Sequence, residues 1–486
     1  MKKIKSTITI ILAAMMLMMV SLSLTACGGR SRELRIYNWG YYMCPSVLES
    51  FEEWYHETTG RRIRVIETTF TSNEEMFADI SSSMLDFDIA VPSEYMVSKM
   101  FGNGGSTNYL LPIYDPAWGD DNIVTNLDSI YDRLMNVTNA MTPNDGGRIY
   151  ATPYLWGTMG IMFDSSVIRY EYVEFWGWTA LFRDIPTHTV FNPNASYGAA
   201  DYGPVALTQE AIDNNSNLEA FVANRIYMKD SFRDSLVAVQ GHLNRTRLRA
   251  YAAESGWGVG TPAYNLLRDI YANAPTPARI AEYEAELIRQ RNLRSFKQHE
   301  VDVGKTNLMH RYESRGFLGI FWSCDGYVIT ENPNIVYHIP IEGSNMYVDA
   351  MVIPRFARNE RAARYFIYYI NKYNAQSPAT SAAFRNMTAT GAPSGVEQSM
   401  IDFRTSLNLD DGVANIFGYT MEDLFEDYRV GDRPTDMLRR DMYTNVVLFP
   451  HLYEGEDILA RTQYMRDWGA SVEHALALMW SRVLVS

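Results

Sequence analysis

The stretch Phe87-Asp88-Ile89-Ala90-Val91-Pro92-Ser93-Glu94-Tyr95 decides the fold, because it closes a pattern that opens at Leu34. Residues 87–91 form a short apolar strand ended by Pro92, which cannot donate to a ladder. Upstream, Leu34-Arg35-Ile36-Tyr37-Asn38 is strand-like. A helix follows Pro45 with Val47, Leu48, Phe51, Trp54 and Tyr55 on one face, and Thr58-Thr59-Gly60 ends it. Residues 62–70 alternate and are rich in β-branched side chains, which makes them the next strand. Ser72, with Glu75 three positions on, makes a capping box for a helix over 73–84. This β-α-β-α-β order predicts a parallel sheet whose strand carboxyl ends open on one crevice. Trp39, Tyr42, Ser93 and Tyr95 follow those ends, where a ligand would sit.

The theme returns later with less clarity. Residues 317–321 are a short apolar strand ending in Trp322, and residues 347–354 are another. A helix over 359–372 turns Ala362, Ala363, Phe366, Ile367 and Ile370 inward, and 278–291 is an amphipathic helix. Two long stretches, 186–224 and 242–277, are rich in Asn, Gly, Pro and Ala and read as insertions.

With 47% hydrophobic and 21% charged residues, the 486-residue chain has a folding composition, and its length suggests two or three lobes. Its 43 Lys+Arg against 57 Asp+Glu give −14. So acidic a chain repels nucleic-acid phosphates and tolerates or attracts cations. Residues 1–26 carry Lys2, Lys3 and Lys5 followed by an apolar run, the form of an export signal. The run is also nearly long enough to be an uncut membrane helix. Leu24-Thr25-Ala26-Cys27-Gly28, however, resembles the lipobox of bacterial lipoproteins, which implies cleavage before Cys27 and a lipid on its sulfur. Residues 27–33 are then a tether, and the rest lies outside the cytoplasmic membrane.

The search for catalytic patterns is negative: there is no Gly-x-Ser-x-Gly, His-Glu-x-x-His, Cys-x-x-Cys or phosphate-binding loop. The eight histidines lack ligand spacing, so no metal or cofactor is expected. Glu74-Glu75 and Asp410-Asp411 read as solvated faces. With three cysteines, the chain is no disulfide scaffold. Cys44 and Cys324 are expected as free thiols, although an oxidising compartment permits a bond between them.

Three blocks carry a resemblance: Tyr37-Asn38-Trp39-Gly40-Tyr41-Tyr42, Thr71-Ser72-Asn73-Glu74-Glu75-Met76, and the quoted stretch 87–95. Together they resemble the bacterial spermidine/putrescine-binding proteins of ABC transporters, and Tyr154-Leu155-Trp156-Gly157-Thr158 resembles that family's crossover between lobes. Leu318-Gly319-Ile320-Phe321-Trp322 and the segment 346–354 resemble its later binding strands. The likeness is dense over 34–164 and 316–395, patchy between, and faint beyond Ser399.

The resemblance implies an α/β fold of two lobes, like that of periplasmic binding proteins, with a ligand cleft between them. Lobe 1 then spans 34–154 and returns over 347–395. Lobe 2 spans 155–346, with its insertions near 186–224 and 242–277, and returns over 396–486 with a carboxyl-terminal extension. Trp39, Tyr42, Ser93 and Tyr95 would line one wall, Trp322 would face them, and Tyr347 and Asp349 would sit near the hinge. The segment 229–234 resembles a loop with two family carboxylates. Aligned on Arg233, Asp234 keeps one and Ser231 replaces the other, whereas a slip of one residue brings in Asp230. Ala392 stands where an aromatic residue is usual and Gly40 where a threonine is common. Ser93 can cap the helix after Pro92, contact ligand, or do both. Asp349 in an apolar strand is either a ligand carboxylate or half of a salt bridge.

A polyamine fits this inventory, because its ammonium groups need acceptors on leaving water and its methylenes suit aromatic faces. One missing carboxylate favours putrescine over spermidine. The expected protein is a monomeric receptor, lipid-anchored at the membrane surface, that feeds an ABC permease. The other reading is a sensory or scaffold lipoprotein on the same fold.

Overall fold

The computed structural model describes residues 32–82, 86–102, 107–142, 145–187, 204–300, 316–325, 334–406, 429–430, 433–434 and 458–486. The export segment, Cys27 and the tether up to residue 31 lie outside these residues, as do Asp410-Asp411 and much of the first insertion and of the carboxyl-terminal region. Among the described residues, no helix is long and apolar enough to cross a membrane.

The amino-terminal pattern folds as its periodicity dictates. Strand β1 (Glu33–Trp39) is followed by helix α1 (Pro45–Thr59), β2 (Arg64–Phe70), α2 (Asn73–Ser81), β3 (Ile89–Ala90) and α3 (Glu94–Phe101). β1 pairs in parallel with both β2 and β3, which brings the carboxyl ends of all three to one edge. Pro45 opens α1, where its missing N–H costs nothing, and Gly60 closes it at φ 70°. α2 ends at Ser81, short of the expected residue 84. The Ser72 hydroxyl accepts from Glu75 N, but the Glu75 carboxylate reaches back to the N–H and hydroxyl of Thr71, one residue beyond the cap.

The chain continues through α4 (Asp132–Met141) into β5 (Ala151–Asp164), fourteen residues that are buried throughout. Then come β6 (Ile226–Lys229), α5 (Phe232–Ser255), α6 (Pro262–Ala272), α7 (Pro277–Arg291), β7 (Phe296–Glu300), β8 (Leu318–Trp322), β9 (Ile335–His338) and β10 (Ser344–Pro354). Helices α8 (Glu360–Ile370) and α9 (Ala382–Thr390) follow, and α10 (Ala470–Val485) comes after residues outside the description. The sheet order is β2-β1-β3-β10-β5-β8-β6-β7, with β10 antiparallel to both β3 and β5.

β5 and β10 are the only two of these strands that belong to both halves of the sheet. Leu155 packs with Leu34, Phe51, Met351 and Phe366, whereas Trp156 and the residues after it pack with Phe182, Val239 and Leu318. On β10 the change of core falls between Val348 and Ala350. Asp349, opposite Leu155, stands at that change.

Residues 242–277, read as an insertion, complete α5 and supply α6, and they bury Leu248, Leu267 and Tyr271 in the second core. The inward face read for α8 is the buried one, residue for residue.

Candidate functional site

The site begins with a local irregularity. Between Asp349 and Ala350 the β10–β5 register shifts, because Asp349 pairs with Leu155 but Ala350 with Pro153. Tyr154 is therefore the extra residue of a bulge, a device that re-aims side chains beside binding sites. Its hydroxyl donates to the Tyr42 carbonyl at 2.6 Å and accepts from Asn386 Nδ2 at 2.7 Å, which fixes the loop after β1. In that loop Tyr41 sits at φ 58° with its side chain fully exposed, while Tyr42 turns inward.

The inward hydroxyl of Tyr42 donates to Asp349 Oδ2 at 2.8 Å, and the Ser93 hydroxyl donates to Oδ1 at 2.6 Å. Ser93 starts α3, yet its side chain makes no capping bond. Asn73, which sequence reading passed over, holds it instead. Asn73 Nδ2 donates to Ser93 Oγ and Tyr95 OH, and its Oδ1 accepts from Ser93 N. Burial pushes the Asp349 carboxyl up to about 6, with the two hydroxyl donors pulling the other way. Among the described residues Asp349 has no ion-pair partner.

Tyr347 lies across β5 at Gly157, where an added Cβ would come within 2.6 Å of the phenol oxygen. Only a glycine permits that crossing. The Trp322 ring meets Tyr347 edge-on at 4.7 Å. Tyr347 is in turn close enough to Tyr42, Cys324 and Asp349 for their charges and dipoles to act on its hydroxyl. Trp39 stands one step away with its ring against Phe70 at 4.5 Å, and its buried indole N–H has no partner among the described residues.

The other end of the site is built on α5. Ser231 caps this helix by accepting from Asp234 N, and Asp230 points to solvent. Among the described residues the Asp234 carboxylate makes no hydrogen bond or ion pair. Burial raises it to about 7, with Lys229 opposing the rise. Arg233 does not solvate it. The guanidinium stacks on Tyr95 at 3.7 Å, lies 4.7 Å from Trp468, and donates to Glu473 on α10. One face of Tyr95 is thereby covered from within the protein.

Three further residues escaped sequence reading. Asp325, three positions past Trp322, accepts from Trp322 N at 3.3 Å and pairs with Lys229 at 3.5 Å. Glu94, buried at the start of α3, accepts from Val348 N and Met465 N, and burial pushes its carboxyl up to about 8. Arg233 had looked like a mere neighbour of Asp234. No periodicity could have marked these three, since each takes its meaning from a partner far away in sequence or outside a regular element. Ala392 is fully buried in the first core, against the β-sheet. Among the described residues neither Cys44 nor Cys324 forms a disulfide. Among the described residues, no cluster of His, Cys, Asp or Glu could hold a metal ion.

This architecture is the two-lobe α/β fold of periplasmic solute-binding proteins. Structures of the spermidine/putrescine substrate-binding protein PotD from Streptococcus pneumoniae (TM-score 0.56, 19% identity, 94% of this chain and 99% of that one) and of the TpPotD lipoprotein of Treponema pallidum (0.52, 17%, 93% and 100%) share it. Within that class the sequence is similar to polyamine-binding proteins. The spermidine/putrescine-binding periplasmic protein of Salmonella typhimurium is 31% identical over 144 residues, 29% of this chain and 35% of that protein. The putrescine-binding protein PotF of Escherichia coli is 21% identical over 410 residues, 79% of this chain and 90% of that protein. The stretch matched to the Salmonella protein thus spans about a third of that relative's length. No protein-family model matches the chain.

Proposed function

We propose that the protein is an extracytoplasmic receptor for a small polyamine, anchored through a lipid on Cys27, which hands its ligand to an ABC permease. The observation that carries this reading is the pair Asp349 and Asp234. Asp349 is buried and Asp234 partly so, and among the described residues neither makes an ion pair, although the Lys229 and Arg233 charges reach Asp234 from a distance. An isolated buried carboxylate is costly, and a ligand ammonium at each would relieve that cost. Trp39, Tyr42, Trp322 and Tyr347 supply faces for the methylenes between the ammonium groups. Ser93 and Tyr95 would line the same wall, with Ser93 and Tyr42 orienting Asp349. Docking on one lobe and rotation about β5 and β10 would bring Trp322 over the amine, and closure is favoured only by contacts that the closed form adds. The similar proteins are named as binding proteins, and we read this chain in the same way and not as an enzyme.

A thermal-shift screen of the chain from Gly28 onward tests the reading with putrescine, cadaverine, spermidine, spermine and agmatine against neutral sugars and amino acids. At 100 times its dissociation constant a ligand stabilises the fold by about 2.7 kcal/mol. A rise in melting temperature with an amine and none with the controls is expected. No rise with any amine would refute the assignment.

The carboxyl environments also set a pH dependence. A ligand ammonium needs ionised carboxylates, whereas the free protein starts to protonate Asp234 near 7 and Asp349 near 6. Binding therefore competes with protons below neutrality, and affinity falls as pH falls. The loss approaches about tenfold per pH unit for each carboxylate once the pH is below its value in the free protein. Titration calorimetry from pH 8 to pH 5.5 should show at least about a tenfold rise in Kd with proton release on binding. A flat profile would detach both carboxylates from the ammonium groups.

A further inference from the structure

A third carboxylate, Asp325, lies near enough to Asp234 for its charge to act there, and it is paired with Lys229. Lys229 is the last residue of β6, which runs parallel to β8, and Asp325 follows β8 by three residues. The two strand ends bring the Lys229 ammonium to 3.5 Å from Asp325 Oδ2, with only 7% and 5% of the two side chains exposed. The ammonium also lies 5.6 Å from the centre of the Phe321 ring, and Asp325 Oδ2 accepts from the N–H of Trp322. Lys229 presents a primary ammonium on a chain of methylenes, set between an aromatic face and a carboxylate. Chemically, that is one end of a polyamine, tethered to the protein.

We propose that Lys229 is a specificity-determining residue: its ammonium is a resident counter-ion for Asp325 that withholds a third anionic position from the ligand, so the cleft takes a diamine in preference to a triamine. This rests on the amine-binding reading of the site. Two carboxylates, Asp349 and Asp234, remain for two ligand ammonium groups. A third ligand ammonium would either leave water without an anion or approach Asp325 against the like charge of Lys229, and both are unfavourable. Lys229 therefore selects against the longer ligand by repulsion, in addition to whatever the two open carboxylates attract.

The test compares Kd values for putrescine and spermidine by titration calorimetry on the full chain, wild type, Lys229→Met and Lys229→Gln. Met keeps the apolar stem over Phe321 and removes the charge. Gln also keeps an N–H for Asp325, so it remains informative should the Met variant fail to fold. Wild type should prefer putrescine. In both variants the preference should move toward spermidine by about tenfold or more. The double variant Lys229→Gln/Asp325→Asn should return the ratio to that of wild type. A folded single variant whose ratio stays within about threefold of wild type overturns the proposal, and so does a wild type that already prefers spermidine. A wild type that binds neither amine instead overturns the amine-binding reading on which the proposal stands.

Discussion

Replacing Asp349 by asparagine should weaken putrescine or spermidine binding by more than about tenfold and leave the fold intact. The substitution keeps the shape of the side chain. Its amide oxygen can still accept from Ser93, and the Tyr42 hydroxyl can turn to accept from the new N–H. What disappears is the charge. Asp349 is 5% exposed, so an ammonium that docks there has left bulk water and depends on that charge for compensation. Removing one partner of a desolvated, hydrogen-bonded charge pair costs about 2–5 kcal/mol, or roughly 30-fold upward, so tenfold is a floor. Calorimetric titration with a circular-dichroism control checks the outcome. Unchanged affinity in a natively folded variant would remove Asp349 from the site.

The largest effect on stability is expected at Arg233. Arg233 and Glu473 are 4% and 9% exposed, and Glu473 also accepts from Lys99 at 2.7 Å. Burial alone would raise the Glu473 carboxyl, but the Lys99 hydrogen bond and the Arg233 charge hold it below its ordinary value. Arg233 sits between Tyr95 and Trp468 and lies 3.8 Å from Glu74, so it links α2 and α3 to α5 and α10. Arg233→Met fills much of the space but leaves Glu473 half-matched. Breaking a buried pair in this way costs about 3 kcal/mol, which for a chain of this size lowers the melting temperature by roughly 3 °C. Adding Glu473→Gln should recover part of the loss, because the stranded charge is then gone. A melting temperature within about 1 °C of wild type in Arg233→Met would show that the network contributes no more than exposed ion pairs do.

The amino-terminal half of the first lobe was legible because its elements obey local rules. The 3.6-residue spacing around Phe51, the alternation before Phe70 and the proline after Val91 each fix one element, and their order fixes the sheet. The helices within and just after residues 242–277 went unread for a compositional reason, since Asn, Gly and Pro outweighed two signals of helix starts. Thr261-Pro262 and Thr276-Pro277 are each a capping hydroxyl followed by proline at the first helical position, and both threonines do cap helices. At the site, the eight residues singled out beforehand fall into two groups. Tyr42, Ser93, Tyr347 and Asp349 form one connected set with Trp322, whereas Tyr95 and Asp234 lie around Arg233 and Trp39 stands apart. The polar links that unite them were invisible because they join strands by register and not by spacing. Asn73 meets Ser93 across 20 positions, and Asp349 meets Tyr42 across 307.

The bond between Arg233 and Glu473 spans 240 positions, and it bears on how the molecule comes into being. A ribosome delivers Arg233 long before Glu473, so during synthesis the guanidinium has Glu74 within reach but not its second anion. Contacts of such long range carry a loop-closure cost and form late. The sandwich of Tyr95, the guanidinium and Trp468 is then expected among the last packing to be completed in the molecule.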